Sequence, residues 1–191
     1  MEQVRSFIAI ELPDAVKLGI AELQQSLKAG GLPGIKWVDP ESIHLTLKFL
    51  GSIGVDKIDA VTAAMQKAAG GINPFRLEIN GLGAFPSLRR VQVVWVGIGG
   101  EVDRLTELQR QVELSLAPLG FAPESRNFSP HLTLARLRSQ KSVEERQRFG
   151  QIISGTSFTP DYRIEVESIN LMKSQLTRYG AIYSQLGSVR L

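Results

Sequence analysis

The chain has 191 residues, 43% hydrophobic and 21% charged, with a net charge of +3 and a pI near 9.3. These values describe a soluble globular chain of domain size, long enough to bury about 70% of its unfolded surface without staples. With no cysteine and only two histidines, it has no disulfides, thiolate zinc sites, iron–sulfur clusters, cysteine nucleophile or three-histidine metal site. The mild positive balance favours an anionic partner but is far from that of a nonspecific nucleic-acid-coating tail.

The segment from Met1 to Arg5 leads into a short apolar run, Phe7 to Ile10, that Glu11 and Pro13 end. The run is too short for a signal peptide and reads as a first strand over 4–12. No stretch approaches the ~20 apolar residues that span a membrane. A cytoplasmic protein, without membrane contact and monomeric, is expected. Residues 14–28 place Val16, Ile20, Leu23 and Leu27 on one helical face, stopped by Gly30 and Gly31. Short strands are expected at 36–38 and 43–50, and a helix over 55–69 with Ile58, Val61, Met65 and Ala68 on one face. Two further strands, 75–85 and 91–98, turn at Pro86-Ser87. The second half repeats the rhythm. A helical stripe runs over 101–117, a strand over 131–137, and Ser142 with Glu145 forms a capping box before another helix. Residues 161–173 and 179–186 read as closing strands. Strands joined by short turns imply antiparallel pairing and an α+β class. No composition shift divides the chain, so a single domain over 1–191 is expected.

Both histidines lie in the tetrapeptide His-Leu-Thr-Leu, at His44–Leu47 and again at His131–Leu134. With 23 Leu and 7 Thr in the chain, chance would place Leu-Thr-Leu after a second histidine roughly once in two thousand times. In a strand, residues i and i+2 share a face. His44 and Thr46 therefore point one way while Leu45 and Leu47 point the other, and His131 and Thr133 do the same in the second copy. Two such strands brought together would present two imidazoles and two hydroxyls to one cleft. Imidazoles titrate near neutrality, so one can accept a proton while the other donates one. Hydroxyls can donate to the nonbridging oxygens of a phosphate. The set suits cleavage of a phosphodiester. A two-histidine metal site completed by acids elsewhere is a weaker reading of the pair, and no nucleophile elbow such as G-x-S-x-G accompanies the motifs.

Paired His-x-Thr-hydrophobic motifs at this separation resemble the 2H phosphoesterase superfamily, closest to its RNA 2′,3′-cyclic phosphodiesterases, long called 2′-5′ RNA ligases. The likeness extends over most of the chain. It includes Arg5–Pro13, His44–Gly51, Gly83–Pro86 with Val94-Trp95, Pro130–Arg136, and Leu171–Ser174 with Gly180 and Tyr183. The resemblance implies a bilobal α+β fold with pseudo-two-fold character, two antiparallel sheets flanking a cleft and helices outside. It implies hydrolysis of RNA 2′,3′-cyclic phosphate ends, or cyclic nucleotides, to 2′-phosphates with no cofactor and no metal. It also implies His44 as proton donor and His131 as proton acceptor; the residues themselves leave the two roles interchangeable. The same site run in reverse would join RNA ends through a 2′-5′ link, and a noncatalytic module binding RNA ends is a further alternative.

Thr46 and Thr133 are expected to bind substrate. Lys48, at i+4 from His44, shares its face in a regular strand and either neutralises phosphate or points to solvent. Arg136, at i+5 from His131, has the wrong parity and reaches the cleft only if a bulge intervenes. Arg126, the basic residues of 136–148 and Arg89-Arg90 could line an RNA backbone, and Phe85 or Phe128 could stack on a base.

Overall fold

The structure is a computed structural model that describes residues 2–178 and 180–191. Residue 179, where the expected strand 179–186 begins, and Met1 lie outside the described residues. Two antiparallel sheets carry the fold. The first has four strands in the order β3 (Leu45–Gly54), β1 (Gln3–Ile10), β8 (Ser168–Thr177) and β9 (Gly180–Arg190). The second has five, in the order β2 (Ile35–Trp37), β6 (His131–Leu137), β5 (Val93–Gly100), β4 (Phe75–Phe85) and β7 (Arg163–Val166).

Helices cover one face of each sheet. α2 (Ile58–Ala69) and α3 (Val102–Leu116) pack together on the first sheet, touching β9 and β3. α4 (Val143–Gly155) packs on β4 of the second. α1 (Asp14–Lys28) reaches the second sheet too, where buried Gln24 donates from Nε2 to Leu134 O of β6 at 3.1 Å and to Val38 O at 2.7 Å. α1 thus follows a strand of the first sheet and packs on the second, while α3 follows a strand of the second and packs on the first. The apolar stripes expected of α1, α2 and α3 are buried, except that Ile58 and Val102, at the helix starts, are half-buried. One continuous core joins Ile8 and Leu171 of the first sheet to Val96 and Leu132 of the second.

The expected strand 161–173 is two strands in different sheets. Ile164 and Val166 are buried beside β4, whereas Ile169 and Leu171 are buried beside β1, and Glu167 is the crossing point. Alternation alone does not reveal such a crossing, because both halves keep the same period. The first motif strand begins one residue after His44 and runs on to Gly54. The Ser142 capping box forms as expected: Ser142 Oγ accepts from Glu145 N at 3.2 Å, and Glu145 Oε2 accepts from Ser142 N at 2.8 Å.

Lys48 is not where regular alternation puts it. On β1, Ala9 pairs with Thr46 but Ile8 pairs with Lys48, so Leu47 is an extra residue, a bulge. The bulge turns Lys48 to the helix-covered side, where it is only 3% exposed. Its Nζ donates to Glu113 Oε2 on α3 at 2.6 Å and to Ala122 O at 2.9 Å. Gln109 completes the cluster by donating to Glu113 Oε1 at 3.1 Å. Lys48 is therefore a buried tie between β3, α3 and the segment leading to β6, and it does not face the cleft. Replacing Lys48 with Ala leaves the Glu113 carboxylate buried without its cation. It should lower the unfolding free energy by about 3–5 kcal/mol, read as a shifted urea midpoint at unchanged slope, while Lys48→Met, which keeps the packing volume, should lose less if paired with Glu113→Gln.

Candidate active site

His44 and His131 are held in the same way. His44 Nδ1 lies 2.8 Å from Ser42 O, and His131 Nδ1 lies 2.7 Å from Ser129 O. A carbonyl only accepts, so in each ring Nδ1 carries the proton and donates it. The tautomer is thereby set and the ring cannot spin. Nε2 is left as the working nitrogen, and among the described residues it has no protein partner at either histidine. His44 is approached by segment 38–44, which crosses from the second sheet to the first, and His131 by segment 120–130, which returns from α3 on the first sheet to β6 of the second.

The rings rest on aromatic side chains. Phe7, Ala9 and Met172 form a small apolar cluster on the face of the first sheet away from the helices, with Tyr183 against it. The His44 ring stacks on Phe7 with centroids 4.4 Å apart and meets Tyr183 edge-on at 5.0 Å. On the second sheet Phe85 meets His131 edge-on at 5.0 Å, and Phe85 in turn lies against Trp95 at 5.3 Å. Trp95 lies flat over β4 at Gly83, where a side chain of any size would collide with the indole. Burial pushes the His44 imidazole below its ordinary value of 6.5, partly offset by the Ser42 carbonyl. The Tyr183 phenol is pushed above 10.0 by burial, against the opposing pull of Arg5 and Arg136. Phe7 and Tyr183 come from strands distant in sequence, and no motif spacing marks them as neighbours of His44.

The second motif carries the same bulge as the first. Trp95 pairs with Thr133 but Val94 pairs with Ala135, so Leu134 is the extra residue, as Leu47 is in β3. Beyond each bulge the parity reverses. Lys48 and Ala135 turn inward, while Phe49 and Arg136 turn to the histidine face and are exposed. Arg136 thus meets the condition its spacing required. Phe49, 62% exposed and 6.1 Å from the Phe7 ring, joins that face unannounced by alternation.

Thr46 and Thr133 are half-buried, and among the described residues neither hydroxyl is engaged by another side chain or a carbonyl. The two faces are tied to each other. β3 touches β6, and Arg136 of the second sheet is near enough for its charge to act on Tyr183 of the first. Of the other basic residues, Arg146 is consumed by structure, donating to the carbonyls of Val91, Arg138, Ser139 and Lys141. Lys141 pairs with Glu145 at 2.6 Å. Phe128 packs against the core. Among the described residues no three His, Asp or Glu side chains converge as metal ligands would. Two imidazoles with free Nε2 atoms, two free hydroxyls and a guanidinium can together exchange protons with, and hydrogen-bond to, an anionic ester.

Comparison with known proteins places the sequence and the fold. A relative from Aeropyrum pernix named RNA 2′,3′-cyclic phosphodiesterase is 37% identical over 177 residues, covering 90% of this chain and 94% of its own. One of the same name from Methanothermobacter thermautotrophicus is 31% identical over 189 residues, covering 99% and 100%. Among solved structures, a Thermus thermophilus protein superposes with a TM-score of 0.77 at 26% identity, covering 98% of this chain and 97% of that one. The E. coli LigT structure complexed with 3′-AMP gives a TM-score of 0.75 at 25% identity, covering 100% and 99%. The sequence model described as LigT like Phosphoesterase matches residues 10–95 and 96–183, one match for each histidine motif. The chain belongs to this LigT-like phosphoesterase family.

Proposed function

We propose that the protein hydrolyses 2′,3′-cyclic phosphate ends of RNA, and the corresponding cyclic nucleotides, to 2′-phosphates by proton exchange between two histidines. The observation that carries the reading is the paired arrangement at His44 and His131: each Nδ1 is given to a backbone carbonyl, and each Nε2 is free. The names of the relatives supply the substrate class.

In this reading the phosphate sits between the two Nε2 atoms. His131 Nε2 takes a proton from water as the water oxygen bonds to phosphorus. The bond from phosphorus to the 3′ oxygen breaks on the opposite side, and His44 Nε2–H protonates that oxygen. Thr46 and Thr133 donate to the nonbridging oxygens, and Arg136 supplies positive charge on the His131 face. Protons balance, and the pair is left ready for reversal by exchange with water. Burial works against a cationic His44, so its acid role needs a counter-charge, and the phosphate monoanion beside Nε2 is that counter-charge. RNA joining, the reverse step, uses the same atoms.

Incubating the protein with adenosine 2′,3′-cyclic phosphate in excess EDTA should yield one isomer, the 2′-phosphate, read by phosphorus NMR. His44→Ala or His131→Ala should slow this by about 10²–10⁴-fold, and Thr46→Ala or Thr133→Ala by less, because a water replaces part of a lost hydroxyl. A well-folded His131→Ala protein with wild-type turnover sinks the reading, and an even mixture of isomers sinks the fixed pose.

The pH dependence of kcat/KM should be a bell, because one imidazole must be neutral and the other charged. Its acid limb reports the more acidic of the two free-enzyme imidazoles and so cannot lie above that of His44. Since burial holds His44 below 6.5, the acid limb is expected below 6.5, and an acid limb above that value contradicts the account.

A further inference from the structure

We propose that Gln24 is a positioning residue for the histidine pair, setting where His44 stands relative to His131 without touching substrate; the inference rests on the function proposed above. Gln24 lies on α1 and is 1% exposed. Its amide gives both Nε2 protons to backbone carbonyls, Val38 O at 2.7 Å and Leu134 O at 3.1 Å. Val38 N donates to the same Leu134 O at 2.9 Å. One carboxamide thus closes the junction where the end of β2 leaves β6.

Each carbonyl belongs to the approach of a different histidine. Leu134 is the extra residue of the second motif, and its bulge turns Arg136 to the histidine face. Val38 is where the chain departs the second sheet on its way to His44. The stretch between Val38 and His44 has no slack. Glu41 N donates to Asp39 Oδ1 at 3.1 Å, Ser42 N to Asp39 O at 2.8 Å, and Ile43 N to Pro40 O at 3.2 Å, while the Ile43 side chain is buried. Ser42 O then takes the His44 ring.

The sheet ladder does not reach the His44 backbone. β3 begins at Leu45, and its pairing with β1 ends at Ile10 and Leu45. The His44 backbone therefore takes its place from the turn that delivers it. α1 lies along that turn. Gln24 holds it at Val38, and Lys17, two helical turns earlier, reaches Glu41 at 3.4 Å. α1 itself springs from β1 of the first sheet, so its grip on Val38 and Leu134 refers both approaches to one helix.

The apolar core between the sheets is non-directional and sets their separation. Hydrogen bonds act over a narrow range of distance and angle, so they set the offset along the strands. A neutral carboxamide supplies two donors from one nitrogen; Met fills the same space and supplies none. Proton exchange on opposite sides of one phosphorus tolerates little error, since a misplacement of about 1 Å can slow a reaction 10²-fold. Loss of the Gln24 bonds therefore acts on the chemical step more than on binding, because Thr133 and Arg136 still meet the phosphate from the His131 side.

The test compares wild type, Gln24→Met, which keeps the volume without a donor, and Gln24→Asn, which keeps both donors on a shorter arm. With adenosine 2′,3′-cyclic phosphate, Gln24→Met should lower kcat about tenfold while KM stays within about twofold, and Gln24→Asn should fall between it and wild type. Ser142→Ala, which removes the helix cap of α4, should lower the urea midpoint and leave kcat unchanged. Imidazole nitrogen NMR supplies a readout that needs no turnover. Titration of wild type with adenosine 2′-monophosphate should move both Nε2 resonances on one saturation curve, and in Gln24→Met the His44 response should shrink relative to that of His131. A folded Gln24→Met protein with wild-type kcat and both responses intact overturns the inference, and so does a fall in kcat that Ser142→Ala shares. Should Gln24→Met not fold, Gln24→Asn carries the same two readouts. Absence of turnover in wild type sinks the catalytic reading, whereas uncoupled Nε2 responses in the Gln24 variants still uphold the positioning.

Discussion

Each imidazole is fastened by its Nδ1 to the carbonyl two residues before it, Ser42 O for His44 and Ser129 O for His131. A free histidine exchanges tautomers and rotates about two bonds. Here the backbone removes both freedoms at the point where the chain enters the motif strand. A ring so held offers one nitrogen, Nε2, in one direction, and the chemistry of the pair follows from that. The crossing segments are themselves secured by buried polar side chains. Gln24 holds Val38, ahead of His44, and Lys48 holds Ala122, ahead of His131. Each tie gives a part-buried backbone carbonyl a side-chain donor.

The two halves use one device and fill it differently. After His-Leu-Thr-Leu, the extra residue at Leu47 or Leu134 reverses which face the next side chains take. In the first half the inward place goes to Lys48 and the outward place to Phe49. In the second half Ala135 goes inward and Arg136 outward. An apolar, stacking surface thus stands on one side of the cleft and a cation on the other. The surroundings of the rings differ in the same sense. His44 stacks on Phe7 and meets Tyr183 edge-on, whereas His131 meets Phe85 alone. Unequal environments around equal groups are how a pair of imidazoles can take opposite proton states at one pH.

The repeated tetrapeptide was legible because strand alternation is rigid over four residues: it put His and Thr on one face and the leucines in the core, where Leu45, Leu47, Leu132 and Leu134 are buried. Legibility ended at the bulges. No residue type in Leu-Lys-Phe or Leu-Ala-Arg announces an extra residue, so the parity that sent Lys48 to the cleft and Arg136 to the core was reversed for both. Long-range packing was hidden for another reason. Phe7 and Tyr183 are 37 and 139 residues from His44 by sequence number, and only sheet order brings β1 and β9 beneath that ring. Arg146 carried charge in a basic run, yet its role is to satisfy loop carbonyls, which composition does not distinguish from binding phosphate. The split of 161–173 between two sheets was invisible to periodicity, since each part keeps period two.

With only two histidines in the chain, imidazole nitrogen NMR gives a spectrum of four resonances that tests the central claim without mutation. In the free protein at pH 8, both rings should show a protonated Nδ1 and an unprotonated Nε2. Titration with adenosine 2′-monophosphate should move both Nε2 resonances, with one saturation curve, while both Nδ1 resonances stay in the hydrogen-bonded range. Movement of one Nε2 alone, or protons found on Nε2 with Nδ1 bare, would contradict a phosphate held between the two imidazoles.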